Sequence, residues 1–224
     1  MISFFDYLVS IFLLIIFFPL IIIISIILAI SNGLPLIYHA KRVGLRKKEI
    51  IVYKFRSMIQ SDGDGVTLNS DLRVTKTGYI LRKFKLDELP QLFNICLGNL
   101  SLVGPRPENI KYFKSHSYLF DYLNHIKPGI IDLVTLIFVN ESKYLESESF
   151  YINKILPLKS KIHNKIYAKY KVQDFIVPIF LTPVGIFFPL TVQKIVLNYC
   201  LSMNYLDFQD REQLRLFISI EKND

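Results

Sequence analysis

The 224 residues carry 27 Lys and Arg against 19 Asp and Glu, a formal net charge of +8, and 51% of them are hydrophobic, giving a mean hydropathy of +0.34. That apolar content is high for a soluble protein, and the charge points to an anionic partner such as phospholipid headgroups, a phosphorylated substrate or nucleic acid. Two cysteines far apart, Cys96 and Cys200, exclude a disulfide framework and a cysteine-based zinc site.

The first element is an apolar block from Leu8 to Ile30, interrupted only by Ser10, Pro19 and Ser25. Its length suffices to cross a membrane, for which about 20 apolar residues are needed. No basic stretch precedes it and Ser31-Asn32-Gly33 is a poor cleavage site, so a secretory signal is not expected. Pro19 stands at the midpoint of the block and removes the hydrogen bond to the carbonyl of Ile15. Each half would be roughly 16 Å long, about half the hydrocarbon thickness. A kinked span and a re-entrant helix that returns to the same leaflet both satisfy this pattern. Lys41, Arg42, Arg46, Lys47 and Lys48 follow the block, whereas only Asp6 and the terminal amine precede it. The positive-inside bias then places everything after residue 33 in the cytoplasm.

Gly33-Leu34-Pro35 ends the membrane element, and the β-rich runs Ile37–Val43 and Glu49–Phe55 read as a hairpin. Ser61-Asp62-Gly63-Asp64-Gly65 reads as a loop without the carboxylate spacing of an EF-hand. Thr77-Gly78 opens a basic amphipathic helix, with Ile80, Leu81 and Phe84 inward and Arg82, Lys83 and Lys85 outward. Asp87-Glu88 begins a helix running to Ile95. Residues 108–126 read as helix, Lys127-Pro128-Gly129 as a turn, and Ile130–Val139 as an apolar β-branched run. Residues 149–170 have helical spacing. Phe175–Val192 contains Pro178, Pro183 and Pro189, which favours short membrane-skimming or buried pieces. The tail, 193–224, is again helical in spacing. The expected division is a membrane helix over 1–32, a catalytic body over 33–192 and a helical tail over 193–224.

Three groups of residues can handle phosphate. Lys54 and Arg56 lie two apart on an extended segment, on one face, and make an anion clamp; edge-strand charges look the same. Asp87-Glu88 offers carboxylates for a nucleophile or a divalent cation, although Asp is also a common helix cap. Arg106 sits between Pro105 and Pro107, which fix φ on both sides and reduce the entropy lost in forming a phosphate fork. A tight turn with an incidental arginine would read alike.

Taken together, Arg42-Val43-Gly44, Tyr53-Lys54-Phe55-Arg56-Ser57-Met58, Arg82-Lys83, Leu86-Asp87-Glu88-Leu89-Pro90-Gln91-Leu92-Phe93-Asn94, Leu100-Ser101-Leu102-Val103-Gly104-Pro105-Arg106-Pro107-Glu108 and Lys127-Pro128-Gly129 say more. Their order and spacing resemble the bacterial sugar transferases, the monotopic polyprenyl-phosphate phosphoglycosyl transferases. The strong likeness runs from about Tyr38 to Gly129, and weaker likeness continues to about Thr182.

The resemblance implies a helix-rich α+β domain on the inner leaflet of the bacterial cytoplasmic membrane, facing the cytoplasm and held by a re-entrant helix broken at Pro19. It also implies that the multi-span N-terminal region of longer relatives is absent. Asp87 would attack a nucleotide diphosphate sugar, most simply a UDP-sugar, and form a phosphosugar-aspartyl intermediate. Polyprenyl (undecaprenyl) phosphate would then take the phosphosugar, which begins a surface glycan that downstream glycosyltransferases extend. Mg²⁺ beside Asp87 would be the cofactor, Glu88 would position metal or acceptor, and Lys54, Arg56, Arg82 and Arg106 would hold phosphates. Nucleic acid is not an expected partner. Ala40-Lys41, Pro128-Gly129-Ile130-Ile131 and Asp71-Leu72-Arg73 depart from the family pattern, away from the carboxylates and the Arg106 loop. The alternative is a non-catalytic basic anchor that binds anionic lipid.

Overall fold

The apolar block forms one helix, α1 (Phe4–Asn32), in the computed structural model, which describes residues 4–59, 71–143 and 145–218. The acidic loop at 61–65 and the last residues of the tail lie outside the described residues. Pro19 sits inside α1 and does not end it, contrary to the expected break. Packing on both sides of the proline accounts for the continuity. Leu13, Leu14 and Phe17 lie against Val52, Leu92, Ile95 and Leu100, while Leu20, Ile21, Ile24 and Leu28 lie against Phe55 and Leu81. Packing seven side chains against the body, Ile24 and Leu28 buried and the other five partly so, holds the helix over the one hydrogen bond that Pro19 forgoes.

The other face of α1 exposes Phe12, Ile15, Phe18, Ile22, Ile26 and Ile30. The helix is long and apolar enough to cross a membrane. Both its ends rest on the body. Asp6 bonds to Ser101 and Leu102, and the Asn32 amide donates to the Arg56 carbonyl and to Thr75 Oγ1, each at 3.2 Å.

The hairpin is as expected. Strands β1 (Ile37–Val43) and β2 (Glu49–Phe55) pair antiparallel, from Ile37 opposite Phe55 to Val43 opposite Glu49. Helix α2 (Lys76–Lys83) starts one residue earlier than expected, because the Thr75 hydroxyl accepts from the Gly78 amide at 2.9 Å. Gly78 is required there: a Cβ would overlap the Ser57 carbonyl. Only Leu81 of the expected inward trio is buried, whereas Ile80 and Phe84 stay exposed. An eight-residue helix offers one narrow stripe, and Phe84 instead meets the ring of Phe187 at its rim.

A 3-10 turn at Leu86–Glu88 leads into α3 (Gln91–Cys96), so the acidic pair precedes the helix rather than opening it. Strand β3 (Ser101–Val103), α4 (Ile110–Ser115) and a 3-10 segment (Ser117–Asn124) follow, then β4 (Gly129–Ile131), which pairs parallel with β3. The apolar run after Gly129 is therefore strand only to Ile131. The Asp132 side chain accepts from the Thr135 amide at 2.6 Å and starts α5 (Leu133–Ile137). Helix α6 (Glu148–Phe150) passes through a π-turn (Tyr151–Ile155) into α7 (Leu156–Ala168).

Helix α8 (Val172–Phe187) accommodates Pro178 and Pro183, and Pro189 opens α9 (Pro189–Ser202). The expected short pieces are thus two helices. The boundary drawn at 192/193 falls inside α9, and α10 (Phe208–Ile218) closes the described chain. Val192, Val196, Cys200, Tyr205 and Leu214 share one core with Phe120, Leu133, Ile155 and Ile162, so the tail is part of the body. With 65% helix and, among the described residues, two two-stranded sheets, the fold is helix-rich α+β.

Candidate active site

Two leucines anchor the turn that carries the carboxylates. Leu86 and Leu89 pack into the cluster formed by Ile24, Leu28, Phe55 and Leu81, so α1 supports the Asp87-Glu88 segment directly. Lys85 adopts a left-handed backbone (φ 58°), which ends the run of α2 and redirects the chain. The amides of Glu88 and Leu89 close the turn on the carbonyls of Lys85 and Leu86 at 3.3 Å. Both carboxylate residues are buried, Asp87 at 7% and Glu88 at 9% exposure.

The arginine loop is fixed from below by a close strand crossing. Gly104 N–H donates to the Ile131 carbonyl and Gly129 N–H to the Pro105 carbonyl, both at 3.0 Å. A Cβ on Gly104 or on Gly129 would overlap the facing backbone, so the crossing needs both glycines. Beyond Pro107 the Glu108 carbonyl accepts from Val43 N–H at 3.0 Å, and its carboxylate accepts from the Tyr151 hydroxyl at 2.7 Å. Arg106 is therefore held on both flanks.

Glu88 is the hub of the site. Arg106 forks onto it, Nη1 donating to Oε2 at 3.1 Å and Nη2 to Oε1, and Lys54 Nζ donates to Oε1 at 3.0 Å. Burial alone would raise the Glu88 pKa, but Arg106 and then Lys54 outweigh it and hold the carboxyl well below its usual range. Glu88 in turn raises the pKa of Arg106. Burial pushes Lys54 down to about 8, with Glu88 opposing. Asp87 goes the other way: burial first, and Glu88 second, raise its pKa, against the pull of Lys54, Lys85 and Arg82. The helix-cap role that the sequence also allows does not apply, because Asp87 precedes α3 and is buried. Among the described residues no hydrogen bond or ion pair is made to the Asp87 carboxylate.

Of the residues singled out in the sequence, Lys54, Asp87, Glu88 and Arg106 converge, and the charge of Arg82 reaches Asp87. Arg56 does not join them. Its guanidinium donates to the carbonyls of Leu34 at 3.0 Å, Gly33 at 2.7 Å and Asn32, the backbone that ends α1. Those carbonyls lack helical partners, which is why a cation is drawn there and the expected clamp with Lys54 does not form.

Asn94, to which the sequence pattern assigns no role of its own, is a positioning residue. Its side chain accepts from Tyr53 N–H at 2.9 Å and donates to the Ile51 carbonyl at 2.7 Å, replacing a missing strand partner beside Lys54. An amide between Phe93 and Ile95, in a helix otherwise apolar after Gln91, is the available signal.

These features define a class: a buried, cation-lined carboxylate site on an α+β body packed against an apolar helix. The family model described as bacterial sugar transferase matches residues 1–161, and the chain belongs to that family. It is 35% identical over 120 residues to a UDP-N-acetylgalactosamine-undecaprenyl-phosphate N-acetylgalactosaminephosphotransferase of Aeromonas hydrophila, covering 51% of this chain and 28% of that protein. It is 37% identical over 137 residues to a UDP-glucose:undecaprenyl-phosphate glucose-1-phosphate transferase of Klebsiella pneumoniae, covering 58% and 30%. With the protein of the same name from Escherichia coli K12 the identity is 39% over 118 residues, covering 50% and 25%. The chain spans about a quarter to a half of the length of the curated relatives it matches.

Proposed function

We propose that this chain transfers a phosphosugar from a nucleoside diphosphate sugar, most simply a UDP-sugar, to polyprenyl phosphate. The observation that carries this reading is the division of labour between two buried neighbours. Glu88 is spent on Lys54 and Arg106, while among the described residues the Asp87 carboxylate has no side-chain hydrogen-bond partner.

An Asp87 oxygen forms a bond to the sugar-bearing phosphorus as the bond to the nucleoside monophosphate breaks. Arg106 and Lys54, already ordered by Glu88, offer their remaining N–H groups to the phosphate oxygens and stabilise the developing charge. A phosphate oxygen of the lipid then displaces Asp87 and carries the phosphosugar away. Glu88 here organises the cations rather than holding metal or acceptor, because both its oxygens are taken. A passive lipid anchor would turn its cations outward to headgroups, whereas Lys54 and Arg106 turn to a buried carboxylate.

Among the described residues no group of three or more metal-ligating side chains is present. Mg²⁺ is commonly held by one or two carboxylates together with substrate phosphates, and in this reading Asp87 would be the protein carboxylate that holds it. Bound there, the ion would neutralise diphosphate charge.

The lipid side of the reading rests on α1. Both its ends meet one body, which supports a helix with both termini on the cytoplasmic side of the bacterial membrane. A groove of about 430 Å³ lies between Ile21, Phe55, Phe93 and Leu97 and reaches Pro90, two residues past Glu88. We place the first isoprene units there. Transfer onto such a lipid would start a surface glycan for later glycosyltransferases to extend.

The direct test is incubation of membranes holding this protein with radiolabelled UDP-sugars and polyprenyl phosphate. One UDP-sugar should label the lipid, EDTA should abolish the label and Mg²⁺ should restore it. Absence of lipid label with every nucleotide sugar would overturn the assignment, and full activity in chelator would remove the metal.

The low pKa of Lys54 gives a second expectation. Lys54 loses its proton near pH 8, and with it the ion pair to Glu88 and a phosphate contact. Activity should therefore fall on the alkaline side with a midpoint near 8. Lys54→Arg, whose charge persists, should move that limb upward. An unchanged limb in the variant would assign the titration to another group.

A further inference from the structure

An aspartate in the first turn of an apolar helix is costly in lipid unless it is bonded. Asp6 is 3% exposed, and its carboxylate accepts from Ser101 Oγ at 2.7 Å and from Leu102 N–H at 3.2 Å. One turn on, the buried Ser10 hydroxyl donates to the Tyr7 carbonyl at 2.9 Å and lies 3.2 Å from Cys96 Sγ. These polar contacts reach both halves of the site. Ser101 and Leu102 open β3, which ends at Val103, three residues before Arg106. Cys96 ends α3, the helix that follows Asp87 and Glu88.

We propose that Asp6 is a positioning residue: it locks the first turn of the membrane helix to β3 and so sets the Arg106 loop against Glu88. Docking of α1 and assembly of the site then become one event, and catalysis is confined to protein seated on its membrane helix. The kinetic part of this inference rests on the transferase reading; its geometric part does not.

The chemistry separates this role from anchoring. Asp6→Leu removes the acceptor and makes α1 more apolar, so membrane retention should hold or improve. A pure anchor residue would then keep full activity. A positioning residue should lose kcat on the order of ten- to a hundredfold, the scale set by a misplacement of about 1 Å, with little change in donor KM. Asp6→Asn keeps one oxygen for Leu102 N–H, and its amide N–H can donate to the Ser101 hydroxyl oxygen, so it should recover most of the rate.

Two readouts need no activity. Asp6→Cys with Ser101→Cys, with Cys96 and Cys200 replaced by Ser, should form a disulfide in membranes, because the side chains it replaces touch. In thermal unfolding, Asp6→Leu and Arg106→Lys should be non-additive. Asp6→Leu and Asp207→Asn, the latter in an ion pair with Lys165, should add. No disulfide, or additive effects of Asp6→Leu and Arg106→Lys, would overturn the proposal. So would an Asp6→Leu protein with unchanged kcat. Should no nucleotide sugar be turned over by the parent protein, the disulfide and the stability cycle still decide whether Asp6 sets the Arg106 loop.

Discussion

Asp87→Asn is expected to abolish transfer, by on the order of 10⁴-fold or more, as removal of a covalent nucleophile does elsewhere. The protein should nevertheless fold at least as well as the parent. Burial and the neighbouring Glu88 raise the Asp87 pKa, so the folded state disfavours its ionised form. The sign follows: above the folded pKa this charge destabilises the fold, and the penalty is relieved as pH falls through that pKa. The asparagine variant removes the charge and breaks no side-chain hydrogen bond among the described residues, so its thermal midpoint at neutral pH should equal or exceed the parent's.

Labelled donor without lipid acceptor should leave label on the parent protein, released by hydroxylamine as an acyl phosphate would be. No label should remain on the variant. Substantial turnover by Asp87→Asn would remove Asp87 as the nucleophile. A lower midpoint would show that its charge contributes a stabilising contact.

How much of this was legible in the sequence depends on the range of the interactions. The hairpin, the helix at Lys76–Lys83 and the acidic pair rest on local patterning, and they stand close to where the residues placed them. Lys54, Glu88 and Arg106 come from three elements, and only the order of the motifs hinted that they meet. Arg56 misled because alternation on a strand tells which face a cation takes, not which carbonyls wait there. Those belong to the end of α1, more than twenty residues earlier in the chain.

Pro19 misled for a related reason. A proline in isolation predicts a break, but the side chains before and after it bury against the same body. Asp6 was visible only as a weak topological charge. Its partners, Ser101 and Leu102, lie some 95 residues away and bear no pattern that pairs them with it. Local chemistry was readable; the long-range contacts that turn it into a site were not.

Glu88→Gln is expected to damage both fold and function, the reverse of the stable but inactive Asp87→Asn. The glutamate sits between two cations, Lys54 and Arg106, with side-chain exposures of 18% and 31% against its own 10%. Removing one partner of such a buried cluster leaves the others uncompensated and costs about 3–5 kcal/mol. The folded pKa of Glu88 is depressed, so its stabilisation is fully present above the unfolded value near 4.3 and is lost as pH falls through the folded value. The gap in unfolding midpoint between parent and Glu88→Gln should therefore be wide at neutral pH and narrow in acid below about 4. A second substitution separates the two roles. Lys54→Met in the Glu88→Gln background takes away one uncompensated cation and should restore part of the lost stability. It should restore no transfer, because a phosphate contact has gone and nothing returns Arg106 to its place. Recovery of activity together with stability would mean that Glu88 serves the fold alone, and that Arg106 finds its position without it.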